Sequence, residues 1–344
     1  MNSNEYPREW VRVRVAFTSH EEYQVLRDHS LHTAVLSGRL RFEAEEGGAW
    51  PVVGDWVMAM PNESGPWVLQ AVLERRTVLY RGLAERGEPD QAMAANVDVA
   101  LVICAMDMEF RERRVERYLY LAHEFAIRPV VVLNKIDRIA DRADFERRTE
   151  SVAHGVAQYS ISALTGEGVD ALMGAVSAGE TAVLLGSSGV GKSTLLNRLK
   201  GNEKQRTHPV READSKGRHT TTHRELLELE CGWTLIDMPG LREVGLAGGD
   251  GVGIDATFAD ILELATACRF PDCRHTAEPG CRVREAAASG VLEAARLGNY
   301  QKMLRELAFR ERQADKGAEA AQKLKWRKMH LAMRKQPDKR KGGG

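Results

Sequence analysis

The sequence contains no apolar run long enough to cross a membrane and no segment with the pattern of a secretory leader. No run of about 18 apolar residues occurs in its 344 positions. Residues 1–10 are largely polar and lack the apolar core of a signal peptide. We therefore expect a cytoplasmic protein that has no membrane partner.

Cysteine is also scarce, and its distribution argues against a disulfide framework. There are five cysteines, an odd number, and three of them fall with one histidine inside 14 residues. Three thiolates and one imidazole make a closed tetrahedral set of the kind that holds a structural zinc ion. The expected zinc ligands are Cys268, Cys273, His275 and Cys281. The other two cysteines, Cys104 and Cys231, are predicted to be ordinary core residues in a reducing compartment.

The chain has no net charge, yet its charges are unevenly distributed. Residues 296–344 contain 15 Lys and Arg against 5 Asp and Glu, so the rest of the chain carries the opposing negative charge. Such asymmetry indicates contact with a nucleic acid. The basic run 323–328 and the pair 334–335 suit phosphate contacts, and Trp326 could stack on a base. A solvated amphipathic helix with a polar tail is the alternative.

The hydrophobic patterns divide the chain into three regions. Residues 11–80 alternate in short strands separated by Pro, Gly and Asn turns, which favours an OB-like β barrel over a sandwich or an array of hairpins. Residues 97–236 read as alternating buried strands and helices, typical of a doubly wound α/β domain. Residues 255–268, 282–296 and 298–335 read as helices. An RNA face on the barrel could be lined by Arg8, Arg12, Arg14, Arg39 and Arg41, although a solvated strand face explains them equally well.

A phosphate-binding loop follows the predicted strand 181–185. Two glycines bracket four residues and are followed by Lys and Ser, which is the P-loop spacing. Glycines let backbone N–H groups point into one anion cavity at a helix N-terminus. Lys192 would reach the β- and γ-phosphates, and the Ser193 hydroxyl would bind Mg²⁺. The loop residues are Gly186, Ser187, Ser188, Gly189, Val190, Gly191, Lys192, Ser193 and Thr194.

Two further segments resemble guanine-recognition motifs. Asp137 would accept hydrogen bonds from guanine N1–H and N2–H₂, which adenine cannot supply. Asn134 would bridge loops, and the stem of Lys135 would lie over the base. The backbone N–H of Ala163 would meet guanine O6. The motif residues are Asn134, Lys135, Ile136 and Asp137, and, after the next strand, Ser162 and Ala163.

The remaining GTPase signals follow the P-loop. Asp237 and Gly240 frame an Asp-x-x-Gly turn, in which Asp237 would hold Mg²⁺ through water and the Gly240 N–H would meet the γ-phosphate. The polar segment 201–222 suits a switch loop. There Thr221, with Thr220 as the alternative, would complete the Mg²⁺ coordination.

The water-positioning residue is less clear from the sequence. The glutamine position of Ras-like enzymes is Leu241, which cannot orient water. Our hypothesis is that His219 takes the role when a partner orders the loop; a solvated loop histidine is the alternative.

The order of these motifs is itself informative. Ordinary GTPases place the P-loop first, whereas here the guanine motifs precede it, which indicates a circularly permuted domain. The sequence thus predicts a multidomain α/β protein: an OB-like barrel at 1–85, a permuted GTPase domain at 86–250, a helical zinc-binding domain at 251–335 and a disordered basic tail at 336–344.

This combination resembles the RsgA family of small ribosomal subunit biogenesis GTPases, over roughly residues 8–310. The resemblance implies a monomeric GTP hydrolase, bound to Mg²⁺ with GTP or GDP, that acts on late 30S particles and contacts 16S rRNA. It also implies weak intrinsic activity stimulated by the small subunit. The alternative is a nucleotide-gated rRNA-binding scaffold that hardly hydrolyses GTP, because Leu241 cannot orient water.

Overall fold

The computed structural model describes residues 6–19, 22–81, 91–201, 224–238 and 252–312. Within these ranges the chain forms a β barrel, an α/β domain and a cluster of helices. The predicted residues His219, Thr220, Thr221, Gly240 and Leu241 lie outside the described ranges, as do the basic segment 323–335 and the tail 336–344.

The N-terminal strands close into a five-stranded barrel. Each strand bonds to its neighbours in the order β1-β2-β3-β5-β4, and β4 pairs back to β1. Alternate positions point inward, so that Val13, Val15, Val25, Val57 and Leu69 are fully buried. This confirms the OB-like barrel. The elements are β1 Val11–Thr18, β2 Tyr23–Arg27, β3 Ser30–Leu36, α1 Gly38–Glu45, β4 Trp56–Met60 and β5 Trp67–Val72.

A two-stranded sheet that the sequence analysis did not predict follows the barrel. It pairs β6 Val78–Arg81 with β7 Gln91–Ala95. β7 reads Gln-Ala-Met-Ala-Ala, and Ala has little preference for strands, so the local pattern carries no strand signal.

The α/β domain is a sheet of parallel strands with helices on both faces. The strand order is β10-β9-β8-β11-β13-β12, and only β12 runs antiparallel to its neighbour. All seven residues of β8 are buried, and alternate ones enter two different cores, as expected for a strand covered on both sides. The elements are β8 Val99–Ala105, α2 Glu112–Glu124, β9 Arg128–Asn134, α3 Ala143–Glu150, β10 Gln158–Ile161, α4 Val169–Met173, β11 Thr181–Leu185, α5 Lys192–Leu199, β12 Glu225–Glu228 and β13 Thr234–Asp237.

The C-terminal helices pack on α2 and share its core. They are α6 Val252–Thr257, α7 Ala259–Ala265, α8 Arg282–Ser289 and α9, residues 294–312. The helices predicted at 255–268 and 282–296 are each broken, the first at Phe258 and the second at Gly290, whose φ of +80° ends α8. No helix in the described ranges is long and apolar enough to span a membrane.

A buried arginine joins the barrel to the α/β domain. Arg14, on β1, is 8% exposed and donates hydrogen bonds to Thr181 Oγ1 at 2.6 Å and Thr234 Oγ1 at 3.2 Å, at the starts of β11 and β13. Burial lowers the pKa of Arg14 to about 10, which still leaves the group cationic near neutral pH. The expectation that Arg14 lines an RNA face is therefore wrong, because its guanidinium is enclosed between the two domains. The pairing of Phe17 with Glu225 also joins β1 of the barrel directly to β12 of the α/β domain.

A second buried arginine ties the helical region to α2. Arg296, on α9, donates to Glu116 Oε1 of α2 at 2.7 Å and to Asp260 Oδ1 of α7 at 2.6 Å. Glu116 also accepts from Arg113. Burial raises the pKa of Glu116 although both arginines oppose the shift. Removing either Glu116 or Arg296 would leave the other buried with one ion pair fewer, so this network fixes these helices to the α/β domain.

Replacing Arg14 with Ala is expected to lower the free energy of unfolding by about 2–4 kcal/mol, because buried oxygens on both domains lose a charged donor. The matched control is Arg12→Ala. Arg12 is exposed on the same strand and lies 4.1 Å from the Trp56 ring centroid, a contact worth less than about 1 kcal/mol. Urea unfolding followed by tryptophan fluorescence measures both variants. Equal losses of unfolding free energy in the two variants would contradict the role of Arg14 in holding the barrel to the α/β domain.

Candidate functional site

The polar loops gather at one edge of the sheet. β8, β9, β10, β11 and β13 are parallel, so their carboxyl ends lie together. Ligands of open α/β sheets bind at this edge. The loops that follow β9, β10 and β11 carry the predicted guanine and phosphate motifs, and Asp237 is the last residue of β13.

The P-loop connects β11 to α5. Gly186, Gly189 and Gly191 have φ values of +154°, +82° and +98°, and a Cβ on Gly186 would lie 2.5 Å from the Ile103 carbonyl oxygen. Lys192 begins α5, and its Nζ donates to the carbonyl oxygens of Gly186 at 2.7 Å and Ser187 at 2.6 Å. The loop is thus folded around its own lysine at a helix N-terminus, where unpaired N–H groups and the helix dipole favour an anion. Ser193 and Thr194 follow in the first turn of α5.

Asn134 holds three of the loops together. The residue is almost fully buried, and its Nδ2 donates to the Val190 carbonyl oxygen of the P-loop at 2.8 Å. Its Oδ1 accepts from the Ala163 N–H at 2.9 Å. Because both ends of the amide are used by backbone groups, Asn134 sets the separation of the P-loop from the loop after β10.

Asp137 lies beside the same loop. Its Oδ1 accepts from the Ser162 hydroxyl at 2.5 Å, and Ser162 Oγ in turn accepts from the Thr165 N–H at 3.1 Å. Ile136 is buried beneath this turn. The structure therefore brings the two predicted guanine motifs together through the Asn134–Ala163 and Asp137–Ser162 contacts.

An arginine that no motif indicated supports this turn. Arg198, near the end of α5, donates from Nε to the Ala163 carbonyl oxygen at 2.6 Å and also contacts the Leu164 carbonyl. Its position seven residues after Gly191 carries no local signal, and only the packing of α5 beside the loop reveals it.

Asp237 lies at the end of β13, next to the P-loop strand. Burial raises the pKa of Asp237, and Lys200 and Lys192 oppose the shift. A half-buried carboxylate at the end of a strand next to a P-loop could hold a magnesium ion through water. The other Mg²⁺ and γ-phosphate groups predicted from the sequence, Thr221 and Gly240, lie outside the described residues.

A pocket of about 380 Å³ opens between the P-loop and α2. Its wall includes Lys135, which has a left-handed φ of +72° and an Nζ placed 2.9 Å from Asp107 Oδ2. Asp107 follows β8 and was not predicted from the sequence, since its partner is 28 positions away and belongs to another loop.

The four predicted metal ligands converge between α7 and α8. Their donor atoms all lie within 4.8 Å of one another and could hold a metal ion. Cys268 Sγ is 3.9 Å from Cys281 Sγ and 3.7 Å from His275 Nδ1, close to the ~3.8 Å edge of a tetrahedron with Zn–S bonds of about 2.3 Å.

The pKa shifts of two of these groups suit a metal, whereas burial raises the pKa of the Cys273 thiol to about 11. Burial lowers the pKa of His275, which favours the neutral imidazole that a metal needs, although Glu278 opposes the shift. Burial opposes ionisation of Cys268, but the backbone N–H groups of Val283 and Arg282 bring its pKa below the ordinary value.

Comparison with known proteins gives matches over most of the chain. Residues 72–247 match the family model described as RsgA GTPase. A Small ribosomal subunit biogenesis GTPase RsgA of Syntrophotalea carbinolica is 41% identical, over 90% of this chain and 89% of its own length. The protein of the same name from Opitutus terrae is 42% identical, over 88% of this chain and 85% of its own.

Two solved structures share the fold. YjeQ from Thermotoga maritima superposes with a TM-score of 0.64 at 28% identity, covering 86% of this chain and 98% of that one. YloQ, described as a circularly permuted GTPase, has a TM-score of 0.63 at 23% identity over 90% of this chain and 99% of its own, and shows likeness of fold alone.

Two of the three positive-φ glycines of the P-loop give a matched pair of variants. A Cβ on Gly191 would meet Asn134 Nδ2 at 2.2 Å, whereas one on Gly189 would meet nothing within 4 Å. Gly189→Ala should therefore cost only the backbone strain of about 1–2 kcal/mol. Gly191→Ala should cost at least about 2 kcal/mol more, since it displaces Asn134 from two buried partners. Urea denaturation measures the stability of both variants. Similar unfolding midpoints for Gly189→Ala and Gly191→Ala would refute the bridging role of Asn134.

Proposed function

The chain belongs to the RsgA GTPase family, and from that premise we propose how its residues carry out GTP hydrolysis in small ribosomal subunit biogenesis. The observation that carries the assignment to this site is Asn134, whose single amide joins the P-loop to the loop after β10. That contact supports one nucleotide-binding site built from the P-loop and the two guanine motifs.

The phosphates would bind at the N-terminus of α5. Backbone N–H groups of residues 186–194 would surround the β-phosphate, and Lys192 would exchange its present bonds to Gly186 and Ser187 for phosphate oxygens. Mg²⁺ would be held by Ser193 and the switch threonine Thr221, with Asp237 bonding through water. The ion would neutralise charge that develops on the phosphate oxygens.

Guanine would bind between the loops after β9 and β10. Asp137 accepts from Ser162 through Oδ1, and its Oδ2 would accept from the N1–H and N2–H₂ groups of the base. The Ala163 N–H already bonds to Asn134, so a contact with guanine O6 would be shared with that bond. Adenine lacks the two donors, so Asp137 would gain no partner from that base beyond its bond to Ser162.

Hydrolysis itself needs a water-positioning group. Leu241 cannot serve, and we propose that His219 does so once the small subunit orders its loop. The partner would be the 30S particle with its 16S rRNA, bound by one copy of the chain, and the basic segment 323–335 would contact rRNA phosphates. A scaffold that binds rRNA and hardly turns over GTP remains the second candidate, because it too is compatible with Leu241.

We propose that the metal in the cysteine cluster is zinc with a structural role. Three thiol groups and one imidazole suit Zn²⁺ and fill its four positions, so none is left for a reacting water. The cluster lies between α7 and α8, close to the α9 residue Gln301, which donates to the His275 carbonyl oxygen at 2.6 Å. The ion would thus fix the helices that Arg296 attaches to α2.

Purified 30S subunits are expected to raise the steady-state rate of GTP hydrolysis by about 10²-fold or more, since partner-supplied or partner-ordered groups give GTPases about 10³–10⁵. Phosphate release is measured with 30S subunits, with 50S subunits and with neither. His219→Ala should lose the stimulation while keeping GDP affinity. Tight guanine-nucleotide binding with no stimulation would favour the scaffold; stimulation that survives His219→Ala would remove only that histidine's role.

The purified chain is expected to contain one zinc ion, and Cys281→Ser should lose it and lower the unfolding temperature, because metal binding is coupled to folding of the cluster. Cys231→Ser is the matched control, since Cys231 lies in the turn between β12 and β13, away from the cluster. Elemental analysis after dialysis against a chelator measures the metal. A full zinc equivalent in Cys281→Ser would contradict the assigned ligand set.

A further inference from the structure

The loop after β8 faces the nucleotide site but belongs to none of its motifs. This loop forms one wall of the pocket beside the P-loop, opposite Ser187, Ser188 and Gly189. The Met106 N–H donates to the Asn134 carbonyl oxygen at 2.8 Å. This bond attaches the start of the loop to the residue that directly precedes Lys135.

Asp107 is held in place by its own turn. Its backbone N–H donates to the Ala105 carbonyl oxygen and its carbonyl oxygen accepts from the Phe110 N–H, both at 3.0 Å. Its Oδ1 accepts from the Glu109 N–H at 3.0 Å, which leaves Oδ2 directed at Lys135 Nζ, 2.9 Å away. Both carboxylate oxygens are therefore held by groups of the protein.

Lys135 is constrained from the other end. Its left-handed backbone follows from its place at the junction of β9 and the turn at Ile136–Arg138. The side chain is 19% exposed and lies on the pocket wall shared with the P-loop. The other lysine of the site, Lys192, bonds to P-loop carbonyls, so each lysine has its own acceptor.

Other charged groups on the pocket wall do not compete with the ion pair between Asp107 and Lys135. Arg111 donates to the carbonyl oxygens of Met108 and Phe110 at 2.8 and 2.7 Å. Glu109 contributes its backbone N–H to Asp107, and in the described part of the chain its carboxylate has no ion pair. Arg114 lies farther along α2 and is exposed.

We propose that Asp107 is a positioning residue for the guanine nucleotide. By holding the Lys135 ammonium, it lays the methylene stem of that lysine over the base and keeps the charge away from the P-loop lysine. This inference rests on the proposed function, because it assigns a role in the same nucleotide site. An uncharged side chain at position 107 leaves the stem free to sample other rotamers, so each binding event must order it again.

The test is a double-mutant cycle on the full chain, with a fluorescent GDP analogue and Mg²⁺ as the probe. Asp107→Asn, which keeps the shape and the bond from the Glu109 N–H, should raise Kd by about two- to fivefold, the range of a part-exposed ion pair. Lys135→Met removes the ammonium and keeps most of the stem. Asp107→Asn added to Lys135→Met should change Kd no further, because the residue acts through the lysine.

Glu109→Gln is the matched control, an acidic residue of the same loop without the ion pair, and it should bind GDP as the wild type does. If Asp107→Asn raised Kd by the same factor in the wild type and in the Lys135→Met variant, the proposal would be overturned. An unchanged Kd in the Asp107→Asn single variant would also overturn it. If the wild type itself failed to bind guanine nucleotide, the proposed function would fall and this inference with it. Wild-type binding with an inert Asp107→Asn would overturn the inference alone.

Discussion

One buried amide sets the geometry on which the whole site depends. Asn134 is the last residue of β9. Both ends of its side-chain amide bond to backbone groups, one in the P-loop and one in the loop after β10. A side chain that only donated or only accepted would leave one loop unattached. The close approach is possible because Gly191 has no Cβ, which would lie 2.2 Å from Asn134 Nδ2. The P-loop and the loop after β10 are thereby kept at one separation, although 29 to 56 positions lie between the bonded residues.

Much of this arrangement could be predicted from local sequence, because its signals are local. β11 and α5 have the predicted bounds, since a buried apolar run, a glycine-rich turn and a helix follow one another directly. The barrel could be predicted because its strands alternate. The alternation also misled, since Arg14 occupies a position that reads as an outward one. Whether a polar residue on a strand faces water or another domain is decided by what packs there, and a periodic pattern does not contain that information.

The missed residues share a different property. Asp107, Arg198 and the Glu116–Arg296 pair each act through a partner on another element. Motif reasoning identifies groups that a ligand requires, whereas these groups support other groups of the protein. The helix break at Phe258 escaped prediction for a related reason: no glycine or proline marks it, and the chain turns there so that Phe258 and Ile261 can both enter the core. Tertiary packing overrode a continuous helical pattern.

The eleven-stranded sheet runs without interruption from β10 to the barrel. The barrel meets the α/β domain through β12 and through Arg14, at the starts of β11 and β13, whereas the nucleotide loops lie at the ends of the same strands. Domains that share hydrogen-bonded strands and a buried cation tend to open as one cooperative unit rather than independently. A ligand that binds only the folded site stabilises every segment of such a unit by the same free energy. Guanine nucleotide would then slow amide exchange in barrel strands that it never touches, at the far edge of the sheet.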